Sequence, residues 1–240
     1  MGETVSRNTV VTGGSSGIGA AVVEALLTKG HMVTVFDLNP HPDTSIPTEV
    51  VDVTDEDSVA HAFQRTITRT SVVTGLVASH GSRGSYQPAL TVPVKDIQSQ
   101  FALHTVGSFL VAREFARQLN QTPGSVVFLS STTAYGGWAN QVDYGLAKAA
   151  LTQLTKNLAI EWASLGIRVN AVAPGHTMTP MVQDLVTKGY DLTETKKRMP
   201  MGRLAEPAEI AATIAHLLDD ATFVTGQCVA VDGGWTALGK

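Results

Sequence analysis

One cysteine, Cys228, is all that the 240 residues hold, so no disulfide can close within the chain and no cysteine metal cluster can form. That scarcity fits a reducing compartment and predicts Cys228 as a buried strand residue. Charge is scarce too: 16% of residues are Asp, Glu, Lys or Arg, and the net charge is −4. The longest basic run, Lys196-Lys197-Arg198, is too short for a nucleic-acid surface and reads as the solvated end of a helix. No stretch approaches the ~20 apolar residues of a membrane span. Met1-Gly2-Glu3-Thr4 lacks the basic-then-apolar order of a secretion signal. The seven histidines show no ligand spacing such as HExxH, so no metal is expected. These absences predict a soluble, cytoplasmic protein without membrane or nucleic-acid partners. No linker, repeat or low-complexity tract divides the chain, so a single domain over 1–240 is expected.

What is present is an alternation of short β-branched runs with longer helical patterns. Strands are predicted at 8–12, 32–37, 49–51, 72–77, 125–130, 167–172 and 227–231. Helices are predicted at 17–29, 55–69, 94–119, 142–163, 180–188 and 207–219. Such alternation predicts an α/β fold in which a doubly wound, seven-stranded parallel sheet carries helices on both faces.

Between the first strand and the first helix lies Thr12-Gly13-Gly14-Ser15-Ser16-Gly17-Ile18-Gly19. Glycines let the backbone turn sharply and approach a pyrophosphate, and the helix that follows aims free N–H groups and the positive end of its dipole at it. Asp37 closes the second strand, about 20 residues further on, where a dinucleotide (Rossmann) fold holds the adenosine ribose. A carboxylate there accepts from the 2′- and 3′-hydroxyls and repels a 2′-phosphate. Ser16 and Leu38, where a basic side chain would best meet such a phosphate, are neutral, so the cofactor is read as NAD.

Tyr144 and Lys148 stand four residues apart at the start of the helix that continues through Leu151, Leu154 and Leu158, and so share one face. A tyrosine hydroxyl titrates near ~10, and a neighbouring cation is what would suit it to general acid/base work near neutrality. Ser131 lies just beyond the strand Val126-Val127-Phe128-Leu129-Ser130, at the sheet edge where nucleotide sites form.

With these residues in place, the chain resembles the short-chain dehydrogenase/reductase family over essentially its full length. Thr12, Gly13, Gly17 and Gly19 match the TGxxxGxG turn; Ser131, Tyr144 and Lys148 match the serine followed by YxxxK. The resemblance implies hydride transfer between nicotinamide and a carbinol or carbonyl carbon. Tyr144 would be the acid/base and Ser131 the partner of the substrate oxygen. Lys148 would lower the Tyr144 pKa and hold the nicotinamide ribose. It further implies an adenine contact at Asp52-Val53 and backbone room for the cofactor at Gly81. A carboxamide-holding turn is implied in Pro174-Gly175-His176-Thr177-Met178-Thr179, and a homotetramer is implied from the closing Val231-Asp232-Gly233-Gly234.

Two departures stand out. Ala78-Ser79-His80-Gly81 replaces the family's NNAG, which puts local order in question and leaves His80 as a loop residue beside the ribose region. His104 replaces an Asn that in relatives helps hold a water leading to the lysine; a histidine is able to carry a proton itself. Substrate-facing candidates are Arg83, Trp138, Asn140, His176, Met178 and Met181, with Tyr86 beside Arg83, and 182–199 is expected to form a movable lid of two less rigid helices. The Pro174–Met181 turn and the ending VDGGWTALG are similar to those of 2,3-dihydro-2,3-dihydroxybenzoate dehydrogenases, which oxidise a ring alcohol in a carboxylic acid. The substrate is therefore expected to be a secondary alcohol or its ketone. Carbonyl reduction, polyol or hydroxysteroid oxidation, and a catalytically silent NAD-binding regulator are the alternatives.

Overall fold

A computed structural model describes residues 7–189 and 191–239, with the side chains of Met181 and Leu185 outside the described set. Seven strands pair in parallel: β1 (Asn8–Thr12), β2 (Met32–Asp37), β3 (Thr48–Val50), β4 (Gly75–Ala78), β5 (Gly124–Leu129), β6 (Ile167–Pro174) and β7 (Cys228–Val231). Their order is β3-β2-β1-β4-β5-β6-β7. The chain winds outward from β1 to β3 and then returns to add β4 on the other side of β1. This reversal opens a crevice beyond the carboxyl ends of β1 and β4.

The strands are apolar almost throughout because both faces are covered. Successive residues point to opposite cores. Val10, Leu76, Val126 and Ala171 join one cluster with Phe63, Phe115, Leu151 and Trp162. Val11, Val77, Val127 and Val172 join the other with Val22, Leu26, Ile210 and Ile214. The first core is roofed by α2 (Glu56–Thr70), α4 (Gly107–Leu119) and α5 (Val142–Trp162), the second by α1 (Gly17–Thr28) and α8 (Pro207–Asp219). Helix starts are chemically marked. The Asp55 carboxylate accepts from the N–H groups of Asp57 and Ser58 at the head of α2, and Glu206 and Glu209 form a reciprocal capping box before α8.

Two expectations change, the unbroken helix over 94–119 and the buried Cys228. The helix expected over 94–119 is divided into α3 (Val94–Phe101) and α4 by a π turn at Ala102–Val106, an inserted residue of the kind that re-aims side chains at functional sites. The expected lid contains α6 (Pro180–Thr187) and α7 (Thr193–Arg198). Cys228 opens β7 but is only half-buried, its Sγ 3.8 Å from Thr152 Oγ1.

The turn into α1 is tight. A Cβ on Gly19 would lie 2.0 Å from the Gly13 carbonyl oxygen and 2.7 Å from Ser79 Oγ. Gly19→Ala is therefore expected to destabilise by about 1–3 kcal/mol and lower the melting temperature by roughly 3–10 °C. Calorimetry giving an unchanged transition would refute this close approach.

Candidate active site

The crevice is a cleft of about 650 Å³ running from Asp37, Leu38 and Asp52 at one end to Ser131, Tyr144 and Lys148 at the other. At the first end, Ser16 caps α1 without a side-chain hydrogen bond and no acidic residue occupies the first turn, so the leading N–H groups stay available to an anion. Above Gly17 a Cβ would meet nothing closer than Thr179 at 3.7 Å. The Asp37 carboxylate accepts from the backbone N–H of Ser15 (3.1 Å) and of Asn39 (3.1 Å), which fixes it at the mouth of the cleft. Asp52 accepts from the Thr54 N–H and hydroxyl, which hold its carboxyl below the usual range. An anion-accepting turn beside a fixed carboxylate is a donor set that fits a dinucleotide.

At the other end, α5 carries Tyr144 and Lys148 on one face. Lys148 is buried, and its Nζ donates to the Leu129 carbonyl at 2.6 Å, 5.5 Å from the centre of the Tyr144 ring. Burial lowers the ammonium to about 7 and raises the phenol to about 12, against a downward pull from the Ser131 hydroxyl. The downward pull on Tyr144 comes from Ser131 and not, as expected, from Lys148, and desolvation outweighs it. Ser131 begins a short helical turn, Thr132–Ala134, with its Oγ accepting from the Thr133 N–H.

The altered loop after β4 is ordered by its own substitutes. Ser79 Oγ donates to the Thr12 carbonyl at 2.7 Å. His80 turns inward with Nε2 3.2 Å from the Leu103 carbonyl and Nδ1 2.5 Å from Thr12 Oγ1. A carbonyl only accepts, so Nε2 carries the proton and the threonine hydroxyl donates to Nδ1. By the same argument His104 Nε2 donates to the Ser82 carbonyl at 3.1 Å, leaving a buried Nδ1 without a partner among the described residues. Its ring meets Tyr144 edge-on, with centroids 5.2 Å apart. Burial, reinforced by the charge of Lys148, lowers His80 to about 4 and His104 to about 2. Desolvation therefore favours the neutral ring of His104.

Asp143, which sequence reasoning missed, is buried and ties this loop to α5. Its oxygens accept from the backbone N–H of Ser85 (2.7 Å) and of Tyr144 (2.8 Å). Its only sequence signal was its position beside Tyr144.

Of the expected cofactor residues, Gly13, Ser16, Gly17, Ile18, Gly19, Asp37, Leu38, Asp52, Val53, Gly81, Pro174, Gly175, Thr177 and Thr179 line the cleft together with Tyr144 and Lys148. Ser15 does not; its hydroxyl donates to the Asn39 carbonyl at 2.9 Å. Of the expected substrate residues, Arg83, Trp138 and His176 line it. Asn140 sits in a left-handed turn (φ 63°) and Met178 pairs through its N–H with Ala205 O; neither side chain lines the cleft, nor does Tyr86. Met181 lies outside the described side chains. Trp138 stacks on His176 (centroids 5.2 Å, 30° between planes) and on Trp235 (4.9 Å, 24°), which forms an aromatic wall. Among the described residues no cluster of three or more His, Cys, Asp or Glu could hold a metal, and no helix is long and apolar enough to cross a membrane.

Comparison with known proteins agrees with this architecture. A family model described as enoyl-(acyl carrier protein) reductase matches residues 13–236. The cis-4-hydroxycyclohexanecarboxylate dehydrogenase of Sinomonas cyclohexanicum is 37% identical over 99% of this chain and 100% of its own length. The uncharacterized short-chain type dehydrogenase/reductase y4vI of Sinorhizobium fredii is 35% identical over 98% of this chain, which spans 44% of that protein's length. The solved structure of ElxO with NADP bound superposes with a TM-score of 0.92 at 27% identity, covering 98% of this chain and 100% of that one. The chain belongs to the short-chain dehydrogenase/reductase family, whose members are oxidoreductases that use nicotinamide cofactors.

The two depressed histidines make stability depend on pH. Folded protein binds fewer protons than unfolded protein below the ordinary histidine pKa near 6.5. Their stabilisation is thus complete above that value and falls as pH drops toward 4, by up to about 2 kcal/mol per histidine at pH 5. The urea midpoint is expected to decrease between pH 7.5 and pH 5 in the native protein and to decrease less in His80→Gln/His104→Gln. An equal decrease in both would contradict neutral burial.

Proposed function

We propose that this protein is an NAD-dependent dehydrogenase of secondary alcohols whose substrates are ring hydroxy acids. The observation that carries the reading is the single cleft in which the Asp37 carboxylate stands at one end and Ser131, Tyr144 and Lys148 at the other. A bound nicotinamide supplies the acceptor for the hydride. Ser131 and Tyr144 hydrogen-bond the substrate oxygen, Tyr144 accepts its proton as the carbon is oxidised, and Ser131 steadies the negative charge that develops on that oxygen. Lys148, already anchored on the Leu129 carbonyl, favours the phenolate by its charge and donates to the ribose. In the reverse direction Tyr144 returns the proton to a ketone.

The NAD preference rests on the surroundings of Asp37. Leu38 beside it is exposed and neutral, and the cations lining the cleft are Arg83 and Lys148, outside the Asp37-Leu38-Asn39 corner in sequence. A 2′-phosphate there would meet a carboxylate with no compensating charge. ElxO, by contrast, holds NADP, so the reading for this chain rests on its own side chains at the Asp37 end and not on the fold. The ring hydroxy acid is supported by the Trp138–His176 wall, and by the 37% identity to a cis-4-hydroxycyclohexanecarboxylate dehydrogenase.

The first test is formation of reduced nicotinamide, followed by absorbance, with NAD or NADP and a panel containing 4-hydroxycyclohexanecarboxylate, a cyclohexadiene diol acid and neutral cyclohexanol. Tyr144→Phe is expected to lower kcat by about 10²–10⁴ while NAD still binds; retained turnover would remove Tyr144 from the acid/base role. Asp37→Ser combined with Leu38→Arg is expected to shift the kcat/KM ratio from NAD toward NADP by at least about tenfold, equivalent to ~1.4 kcal/mol. An unchanged ratio would refute the ribose assignment.

A further inference from the structure

Arg198 is the last residue of α7, and its guanidinium carbon lies 4.2 Å over the centre of the Trp235 ring. Of the basic residues near it in sequence, Lys197 pairs with Glu194 and Arg203 with Glu209. Among the described residues nothing accepts a hydrogen bond from the Arg198 side chain. Stacking occupies the flat face of a guanidinium and leaves the N–H donors along its edge free in a fixed fork. That is the arrangement a carboxylate meets with two parallel hydrogen bonds.

Neither Arg198 nor Trp235 lines the cleft, and the stack ties Arg198 to its wall at one remove. Trp235 packs on Trp138 and on His176 (centroids 4.9 and 5.1 Å), and Trp138 and His176 line the cleft. Although Arg198 belongs to the segment expected to move as a lid, its end of that segment is fastened. The next residue, Met199, is buried, and the Met201 N–H donates to the Gly233 carbonyl at 3.1 Å, two residues before Trp235. The guanidinium charge is also felt within the wall. Burial, and after it the charge of Arg198, hold His176 below its ordinary range, and the buried His176 Nδ1 has no partner among the described residues. Arg83 lines the cleft directly, but no ring or hydrogen bond fixes its side chain among the described residues, whereas Arg198, exposed like it, is held by the stack. A pre-organised guanidinium loses less freedom on binding a carboxylate than a loose one.

We propose that Arg198 is the carboxylate-recognising residue of the substrate site, with the substrate ring lying against the Trp138–His176 wall and its carboxylate taking two hydrogen bonds from the edge of the stacked guanidinium. The assignment rests on the reading of the substrate as a ring hydroxy acid and adds the residue that selects the acid.

The test compares the native protein with Arg198→Ala, Arg198→Lys and Arg83→Ala, using 4-hydroxycyclohexanecarboxylate and cyclohexanol with NAD. Arg198→Ala is expected to lower kcat/KM for the acid about 30–100-fold, mainly through KM, and to change that for cyclohexanol less than threefold. Arg198→Lys keeps the charge without the fork and is expected to fall between. A second readout independent of turnover is binding of cyclohexanecarboxylate, followed by quenching of tryptophan emission, and Arg198→Ala is expected to weaken it at least tenfold. Equal losses for acid and alcohol would make Arg198 a packing residue and overturn the assignment. A charge-selective loss in Arg83→Ala alone would do the same, as would cyclohexanecarboxylate binding that is absent in the native protein or unchanged in Arg198→Ala. Native turnover of cyclohexanol with no preference for the acid would also overturn it, while leaving the dehydrogenase reading standing. Carboxylate binding lost in Arg198→Ala without native turnover of any alcohol would support the assignment and count against that reading.

Discussion

The two halves of the sheet meet at Thr12, and the cleft depends on that junction. The Thr12 carbonyl accepts from both the N–H and the hydroxyl of Ser79, while its own hydroxyl is held by His80. These bonds bind the carboxyl ends of β1 and β4 where the winding reverses, and where a gap in hydrogen bonding would otherwise be widest. Because His80 also reaches the Leu103 carbonyl, the same junction secures the head of the π turn and, through it, the setting of His104 against Tyr144. A chain lacking the family's two asparagines thus reaches a connected loop by another set of donors. The amide work is divided between a hydroxyl and an imidazole.

Desolvation dominates the electrostatics of the catalytic end. It drives Lys148 down and Tyr144 up, so it favours the neutral form of each, and it silences both nearby histidines. Apart from Lys148, the polar groups around the Tyr144 hydroxyl donate or accept in fixed directions and hold one charge state.

The readable parts of the sequence are those whose meaning is local. Gly13, Gly17 and Gly19 sit within one turn, Asp37 ends a strand that begins shortly after α1, and Tyr144 with Lys148 spans a single helical turn. In each case spacing alone determines the geometry. Apolar alternation likewise gave the strand set, because a residue pointing to either face of a covered sheet must be apolar. The π turn escaped because one inserted residue barely disturbs a three- and four-residue apolar rhythm. Ser79 and His80 were visible only as departures; their partners Thr12 and Leu103 are 67 and 23 residues away. Arg198 looked like a solvated helix end, and nothing nearby in sequence announces that Trp235 lies beneath it. The neutral state that burial favours at His104 was not legible either, since a histidine's freedom to titrate is a property of its surroundings and not of its type.

The π turn at Ala102–Val106 also sets how this part of the chain would answer a deletion. A π turn closes its hydrogen bonds one residue further along than an α turn, so it holds one extra residue while the helices on either side keep their phase. Removing one residue within the turn would restore a regular helix from Val94 to Leu119 and leave Val111 and Phe115, both fully buried against the sheet, on the core face. A deletion within α4 itself has no such slack, and would rotate the residues beyond it by about 100°. Losing the π turn would thus re-aim the buried His104 and Thr105 that it carries and spare the helix that follows.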